Sequence, residues 1–337
     1  MHKQSINKCC VYFPLLYLLS FSLTACAAQL PTAQSEKCTL PPLHGEVSLV
    51  SSCVYPQSIV ITTSNTVLDC HGATLDGNSK IAFGIVVNSK GKPLSDVRIQ
   101  NCKIRNFSHS GIRVTSDIPA NELSTNHNEN YRRSPTHIDI DNVEVTGSGR
   151  VGIYFDDYVS HSSLSNSTVR SSYMSGVYLE HSSRYNRIIN NQIIYNGHES
   201  FGKGKREGLA IDSSAYNLIE GNRFKSNGAG GVFLYKNCGE HFSTGKSVIR
   251  WQHSDYNVIK NNTFINEPVG IWLASRQNKD LSGFDCGDKP KDESGKYFWD
   301  YANSNMVEGN RFIENNKSVV NEGKRNNLQQ LAVLTNF

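Results

Sequence analysis

Polar and apolar positions along this chain recur in two alternating elements. The first reads Asn-x-hydrophobic-x-x-Asn-x-hydrophobic and is clearest at residues 186–193 (NRIINNQI). It returns at 217–224, 257–264 and 305–312, with weaker copies from Asn65 and around Ile99, Ile140 and Leu164. The second reads Gly-hydrophobic-x-hydrophobic and opens at Gly84, Gly111, Gly152, Gly176, Gly208, Gly231 and Gly270. Gly152 to Gly176 is 24 residues and Gly208 to Gly231 is 23, enough for two or three short strands with turns. No stretch carries a helical period, so the repeat predicts stacked β-coils and not β/α units.

The same pattern assigns directions. Alternation in the Gly strand turns Ile153 and Phe155, Val177 and Leu179, Leu209 and Ile211, Val232 and Leu234, and Ile271 and Leu273 inward. Like residues then stack at the ~4.8 Å strand spacing. Asn190, Gly221, Asn261 and Gly309 share a register that suits a left-handed turn. The next positions, Asn191, Asn222, Asn262 and Asn310, form an inward ladder, since buried amides persist only when paired. Two early coils hold Cys70 and Cys102 in that register, close enough to bridge. The even set of six cysteines beyond residue 37 adds Cys38–Cys53 at the N-terminal cap and Cys238–Cys286 between two loops.

These motifs, with Asn65–Leu75 (NTVLDCHGATL), resemble the right-handed parallel β-helix, or pectin-lyase-like, superfamily over roughly residues 57–323. The expectation is an all-β, single-domain solenoid at 38–323, closed by a C-terminal cap or tail at 324–337. Lys3, Lys8 and the apolar run Cys9–Leu23 make residues 1–25 a signal peptide. Leu23–Cys26 (LTAC) resembles the bacterial lipobox. That resemblance implies lipid on Cys26, a tether at 26–37, and residence in the outer membrane of a Gram-negative cell. A net charge of +4, two units of it in the signal segment, gives no support to nucleic-acid binding.

Insertions at 116–136, 237–254 and 276–302 each follow a Gly strand, so they gather as a wall on one side. A smaller one, 196–206, leaves the opposite end. Long loops on one side of a rigid scaffold are a usual place for function. Between them the outward column reads Arg113, Tyr154, Tyr178, Ala210, Phe233 and Trp272. It is either a platform for the apolar faces of sugars or a second small core under the loops. The next outward column holds Asp156, Glu180, Asp212 and Tyr235. Three carboxylates one coil apart need a cation, a shared proton or a cationic partner, and calcium suits such oxygen ligands.

Beside that strip lie His181, Lys236, Arg276, Arg206 and Glu207. Lys236 or His181 as base, Tyr235 as acid and Arg276 on a carboxylate would suit proton removal α to a uronate carboxylate. The β-helix resemblance implies this class, a lyase or C5-epimerase acting on an acidic polysaccharide. Neither the Asp-Pro-His-Asp motif of alginate epimerases nor the Asn-Thr-Asp, His-Gly and Arg-Ile-Lys set of polygalacturonases is present, so no catalytic set is carried over. The alternatives are a lipid-anchored protein that binds glycan without turnover, and a glycoside hydrolase using paired carboxylates. Lys236→Ala would separate turnover from binding if Lys236 is the base.

Overall fold

The computed structural model describes residues 38–199 and 204–334. The signal peptide, Cys26 and the tether expected before residue 38 lie outside the described residues, as does part of the 196–206 insertion.

Three parallel sheets run through the described chain. Sheet A has ten strands, from Glu46–Ser48 to Asn327–Gln329; sheet B has ten, from Val54–Tyr55 to Ala332–Leu334; sheet C has nine, from Ile59–Ile61 to Lys317–Asn321. Each coil supplies one strand to each sheet in turn, and each strand pairs in parallel with its counterpart one coil away. This is the all-β solenoid that the repeats demanded.

The inward columns stand as the alternation placed them. Ile153, Val177, Leu209, Val232 and Ile271 are all fully buried. Sheet B fills its side with Val145, Val169 and Ile193, then with Phe224, Phe264 and Phe312, whose rings stack at 4.9 and 5.1 Å. These side chains explain the glycine that opens each sheet C strand. A Cβ on Gly231 would sit 2.4 Å from the Phe264 ring, and one on Gly111 would sit 2.4 Å from Val145. Glycine is required there because a core side chain already occupies the space.

The amide ladder forms in the expected register. Asn191 Nδ2 donates to Asn222 Oδ1 at 3.0 Å and to the Leu164 carbonyl at 2.9 Å, while its backbone N–H also meets Asn222 Oδ1. The bonds repeat from Asn222 to Asn262 and from Asn262 to Asn310. Asn190, Gly221, Asn261 and Gly309 take left-handed φ values of 57°, 67°, 57° and 63°. Asn186, Asn217, Asn257 and Asn305 build a second ladder. Asn196, Asn227 and Glu267 build a third. Cys70–Cys102, Cys38–Cys53 and Cys238–Cys286 are bridged, the first with Cα atoms 4.8 Å apart.

At the C-terminal end the chain departs from the expected cap over 324–337. Asn327–Gln329 and Ala332–Leu334 pair in register with Met306–Glu308 and Arg311–Ile313. These residues extend two sheets by another coil, because alternate apolar residues such as Leu328 and Val333 still offer strand edges something to match.

Glu267 is the odd member of its ladder. Its two carboxyl oxygens accept from Asn227 N at 3.1 Å and Asn227 Nδ2 at 2.8 Å, and it is 1 % exposed. Burial pushes the carboxyl up to about 8, against the pull of the Asn227 bonds. In the unfolded chain a Glu titrates near ~4.3. Between those values the native state holds the extra proton, so stability falls as pH rises, by up to about 1.4 kcal/mol per pH unit. Glu267→Gln keeps an acceptor for Asn227, since one Asn oxygen accepts both bonds elsewhere in the ladders. Urea midpoints followed from about pH 5 to about pH 9 should decline in the wild type and decline less steeply in Glu267→Gln.

Candidate functional site

The outer face of sheet C carries the expected columns. Tyr154 is in register with Arg113 and Tyr178, Tyr178 with Ala210, Ala210 with Phe233, and Phe233 with Trp272. Ala210 divides the aromatics into two pairs: Tyr154 meets Tyr178 edge-on at 5.5 Å, and Phe233 meets Trp272 at 5.4 Å. With Val151, Tyr235 and Val269 they make a second apolar cluster outside the solenoid core. Tyr178 and Phe233 are buried, while Tyr154 and Trp272 keep partial exposure. The second small core thus forms under the loops, and Tyr154 and Trp272 keep part of their rings open.

The inserted loops do form a wall. His127, on the helix His127–Arg133 of the first insertion, stacks on Trp251 of the second at 4.1 Å, and both bond the Tyr158 hydroxyl. The Cys238–Cys286 disulfide and the Lys236–Asp288 ion pair join the second to the third. Asp300, at the end of the third, accepts the backbone N–H groups of Lys236 at 2.6 Å and Arg276 at 2.7 Å. Burial raises its carboxyl to about 7.

Three adjoining cavities lie between this wall and sheet C. One of about 310 Å³ is lined by Arg113, Asp156, Asp157, Tyr154, Glu180 and Arg250 among others. The next, about 320 Å³, shares Tyr154 and Glu180 with it and adds Tyr178, Arg150 and Glu240. The third, about 470 Å³, shares Arg206, Arg276 and Lys279 with the second and is floored by Phe233, Tyr235 and Trp272. The shared residues make them one groove along the solenoid axis.

The carboxylates read as calcium ligands each have another partner. Asp156 takes Nε of Arg113 at 3.0 Å and Thr115 Oγ1 at 3.0 Å. Glu180 bonds the Tyr154 hydroxyl and Arg250. Asp212 accepts from Tyr178, Ser213 and Asn237. Among the described residues no group of three His, Cys, Asp or Glu converges as a metal site. The donors do not fit a calcium site, because cations and hydroxyls already answer their charge.

Tyr235 lies among charged groups in the third cavity. Arg206 Nη2 donates to its hydroxyl at 3.2 Å and to Glu207 at 3.4 Å. The Arg276 guanidinium lies 4.2 Å over its ring and pairs with Glu240. Burial, then Glu207, raises the Tyr235 phenol above its usual range. Two other expected residues stand away from the groove. Lys236 is 6 % exposed, paired with Asp288, and lines none of the three cavities. His181 is 1 % exposed, held by Asp157 at 3.1 Å and Arg250 at 2.8 Å. The corner beyond the strand turns Lys236 into the wall and Arg276 into the groove.

Sequence periodicity missed Lys279, Glu240 and Arg250, which line the groove from the insertions. Partial burial, with Arg276 and Arg206 nearby, holds the Lys279 ammonium below its ordinary range. Burial likewise pushes Glu180 up to about 7.

A family model described as "Right handed beta helix region" matches residues 53–250. A second, "Periplasmic copper-binding protein (NosD)", matches residues 198–330. No curated protein matches the sequence. Among solved structures, an alginate lyase from Paenibacillus sp. superposes with a TM-score of 0.53 at 13% identity, covering 87% of this chain and 93% of that one. A periplasmic alginate epimerase mutant gives 0.51 at 14% identity, over 83% of this chain and 61% of that one. A mutant tailspike protein of an E. coli bacteriophage, in complex with a pentasaccharide, gives 0.54 at 10% identity, over 87% and 57%. The chain thus spans nearly all of the lyase but under two thirds of the other two. At such identities the likeness is one of fold. Copper favours thiolate, thioether and imidazole. Within 198–330, Cys238 and Cys286 are bridged and no His cluster forms among the described residues, so these residues do not fit a copper centre.

Lys236→Met should therefore act on stability. It leaves Asp288 without its cation in a largely buried setting, a loss of about 2 kcal/mol after allowing for the solvent that reaches the carboxylate. A lowered urea midpoint is the expected result.

Proposed function

This chain belongs to the right-handed β-helix family, and from that premise we propose that its groove binds an acidic polysaccharide and removes the proton α to a uronate carboxylate, as a lyase or C5-epimerase does. The observation that carries this reading is Tyr235 on the floor of the about 470 Å³ cavity, its hydroxyl bonded to Arg206, beneath Arg276, with Lys279 on the same rim.

Each part has a chemical task. The α-proton of a uronate is removable only when its carboxylate charge is answered, because the carbanion delocalises into that group. Arg206 and Arg276 supply that charge, and a planar guanidinium grips a carboxylate with two parallel bonds. Of the titratable groups lining this cavity, which also include Lys205, Glu207 and Glu322, Tyr235 and Lys279 are assigned the proton exchange, in place of Lys236 and His181. Trp272, fixed by its Nε1 bond to Glu322 at 3.2 Å, and Phe233 offer the apolar surface on which pyranose C–H faces rest. Tyr154, Tyr178 and Arg113 continue the surface toward the other end of the groove. Neighbours in fold that are an alginate lyase and an alginate epimerase support the substrate class.

Glu180 favours a second reading. Its carboxyl, near neutrality in pKa and bonded to the Tyr154 hydroxyl, lines two cavities and suits the acid of a glycoside hydrolase. Export fits either reading: three disulfides suit an oxidising compartment. Among the described residues no helix is long and apolar enough to cross a membrane, and attachment through lipid on Cys26 at the outer membrane is the proposed placement.

The test is a panel of uronate polymers with and without calcium. Ultraviolet absorbance reports unsaturated uronate, proton NMR reports C5 inversion, and reducing ends without absorbance report hydrolysis. Elimination or inversion on one polymer is expected, with kcat reduced about 100-fold or more in Lys279→Ala and Tyr235→Phe. Arg276→Ala should raise KM and lower kcat together. Reducing ends abolished by Glu180→Gln would replace this reading with hydrolysis, and binding without any product would leave a glycan-binding protein.

A further inference from the structure

We propose that Asp212 is the terminal proton acceptor of this site, reached from Tyr235 through the hydroxyl of Tyr178, an assignment that rests on the uronate reading above. The Tyr235 hydroxyl donates to Tyr178 Oη at 3.1 Å, and the Tyr178 hydroxyl donates to Asp212 Oδ2 at 2.8 Å. The chain of O–H groups thus runs from the cavity floor into the protein, and the Tyr235 oxygen keeps a lone pair for the cavity.

The burial of Asp212 needs a reason. It is 0 % exposed, and no lysine, arginine or histidine nitrogen among the described residues lies within 4.0 Å of it. Its charge is met instead by the N–H of Asn237 at 2.9 Å, the Ser213 hydroxyl at 2.9 Å, Asn237 Nδ2 at 3.4 Å and Tyr178. Asp212 is thus a buried carboxylate held only by neutral donors, and it stands at the inner end of the hydroxyl chain. Tyr178 must reach over the next coil to span Asp212 and Tyr235, and Ala210 stands at that crossing. A larger side chain there would block the path.

Proton and electron bookkeeping closes. The substrate C5–H bond breaks and its proton goes to Tyr235 Oη. The proton of Tyr235 passes to Tyr178, and that of Tyr178 to Asp212, which becomes neutral. The electron pair of the C–H bond stays on the substrate, spread into the carboxylate facing Arg206 and Arg276. In elimination that pair then forms the C4–C5 double bond as the C4–O bond breaks, and the Lys279 ammonium gives the leaving oxygen its proton. In inversion the pair takes a proton on the other face from the Lys279 ammonium instead. The relay runs backward after product leaves, and Lys279 regains its proton from solvent.

This arrangement answers a difficulty of the phenol. Burial holds Tyr178 and Tyr235 above the ordinary tyrosine range, so neither ionises near neutral pH. In the relay neither has to, since each gains a proton as it loses one. Glu207 is a second acceptor for Tyr235, at 3.4 Å, but it already holds Ser175 at 3.0 Å and Arg206 at 3.4 Å. Tyr178 and Asp212 act through Tyr235 and are positioning residues.

Tyr178→Phe in the full chain is the test, read as kcat and KM against pH on the polymer that the wild type converts. The charged groups around the relay are Arg206 and Glu207 on its own strands, Glu180 one coil before, Glu240 and Arg250 from the second insertion, and Arg276 and Asp300 from the third. They are common to both proteins, so a changed profile isolates the relay. Expected is a kcat about 100-fold lower near neutrality, climbing with pH as Tyr235 is forced to ionise, with KM little changed because the Tyr178 ring stays on the groove. Asp212→Asn, which accepts no proton, should lower kcat likewise. A Tyr178→Phe protein with wild-type kcat and profile would overturn the relay alone. A wild type inert on every uronate polymer would overturn the elimination reading and the relay with it.

Discussion

Stacking like on like at the strand spacing is the constraint from which the rest of this molecule follows. From Asn186 onward successive coils present, at the same three corners, a side chain that accepts from its neighbour, and all but Glu267 are Asn, whose amide does so from a tight turn. Asn222 Oδ1 takes both N–H groups offered by Asn191, and Asn222 in turn gives both of its own to Asn262. The apolar columns are then held in register, and the glycines that open sheet C become necessary because Phe264 and Phe312 press against them. A slip of one residue would turn an entire column to the wrong side.

That rigidity is what holds side chains of the outer face at fixed distances from one another. Neighbouring coils differ little in their inward residues, yet outside the chain sets Tyr178, Asp212 and Tyr235 on three successive strands at hydrogen-bond distances. Loops then add what strands cannot. Arg276 and Lys236 leave neighbouring coils at the same corner, and Asp300 fixes both backbones. One side chain goes into the groove and the other into an ion pair that holds the wall.

The solenoid was legible in the sequence because its rules are local. The period, the inward Asn ladder, the Cys70–Cys102 register and the aromatic column of Tyr154, Tyr178, Phe233 and Trp272 all follow from parity within a coil. The site was legible only as far as parity reaches. Asp156, Glu180 and Asp212 stood in the right column, but their partners Arg250 and Asn237 come from an insertion, so a strip that looked like a cation site is a set of separately satisfied carboxylates. Lys236 and Lys279 are of one residue type in adjoining loops. Which of them faces the cavity depends on turns and a disulfide that no period records. The strands of the last coil are hard to read for a related reason: their alternation is brief, and only pairing with Met306–Glu308 and Arg311–Ile313 declares them.

One ladder also bears on how the protein ages. Asn196–Gly197 and Asn227–Gly228 are Asn-Gly steps, the sequence context in which the glycine nitrogen most readily attacks the side-chain carbonyl and expels ammonia. Here both amides are locked between coils, and the Gly197 and Gly228 nitrogens donate to the Ser172 and Asn196 carbonyls at 2.9 and 2.7 Å. Attack requires the backbone to rotate out of the stack. Folding thus acts as chemical protection, and a chain that spends time with these coils open would accumulate carboxylates where the stack needs donors, so that each lapse in order leaves a permanent mark.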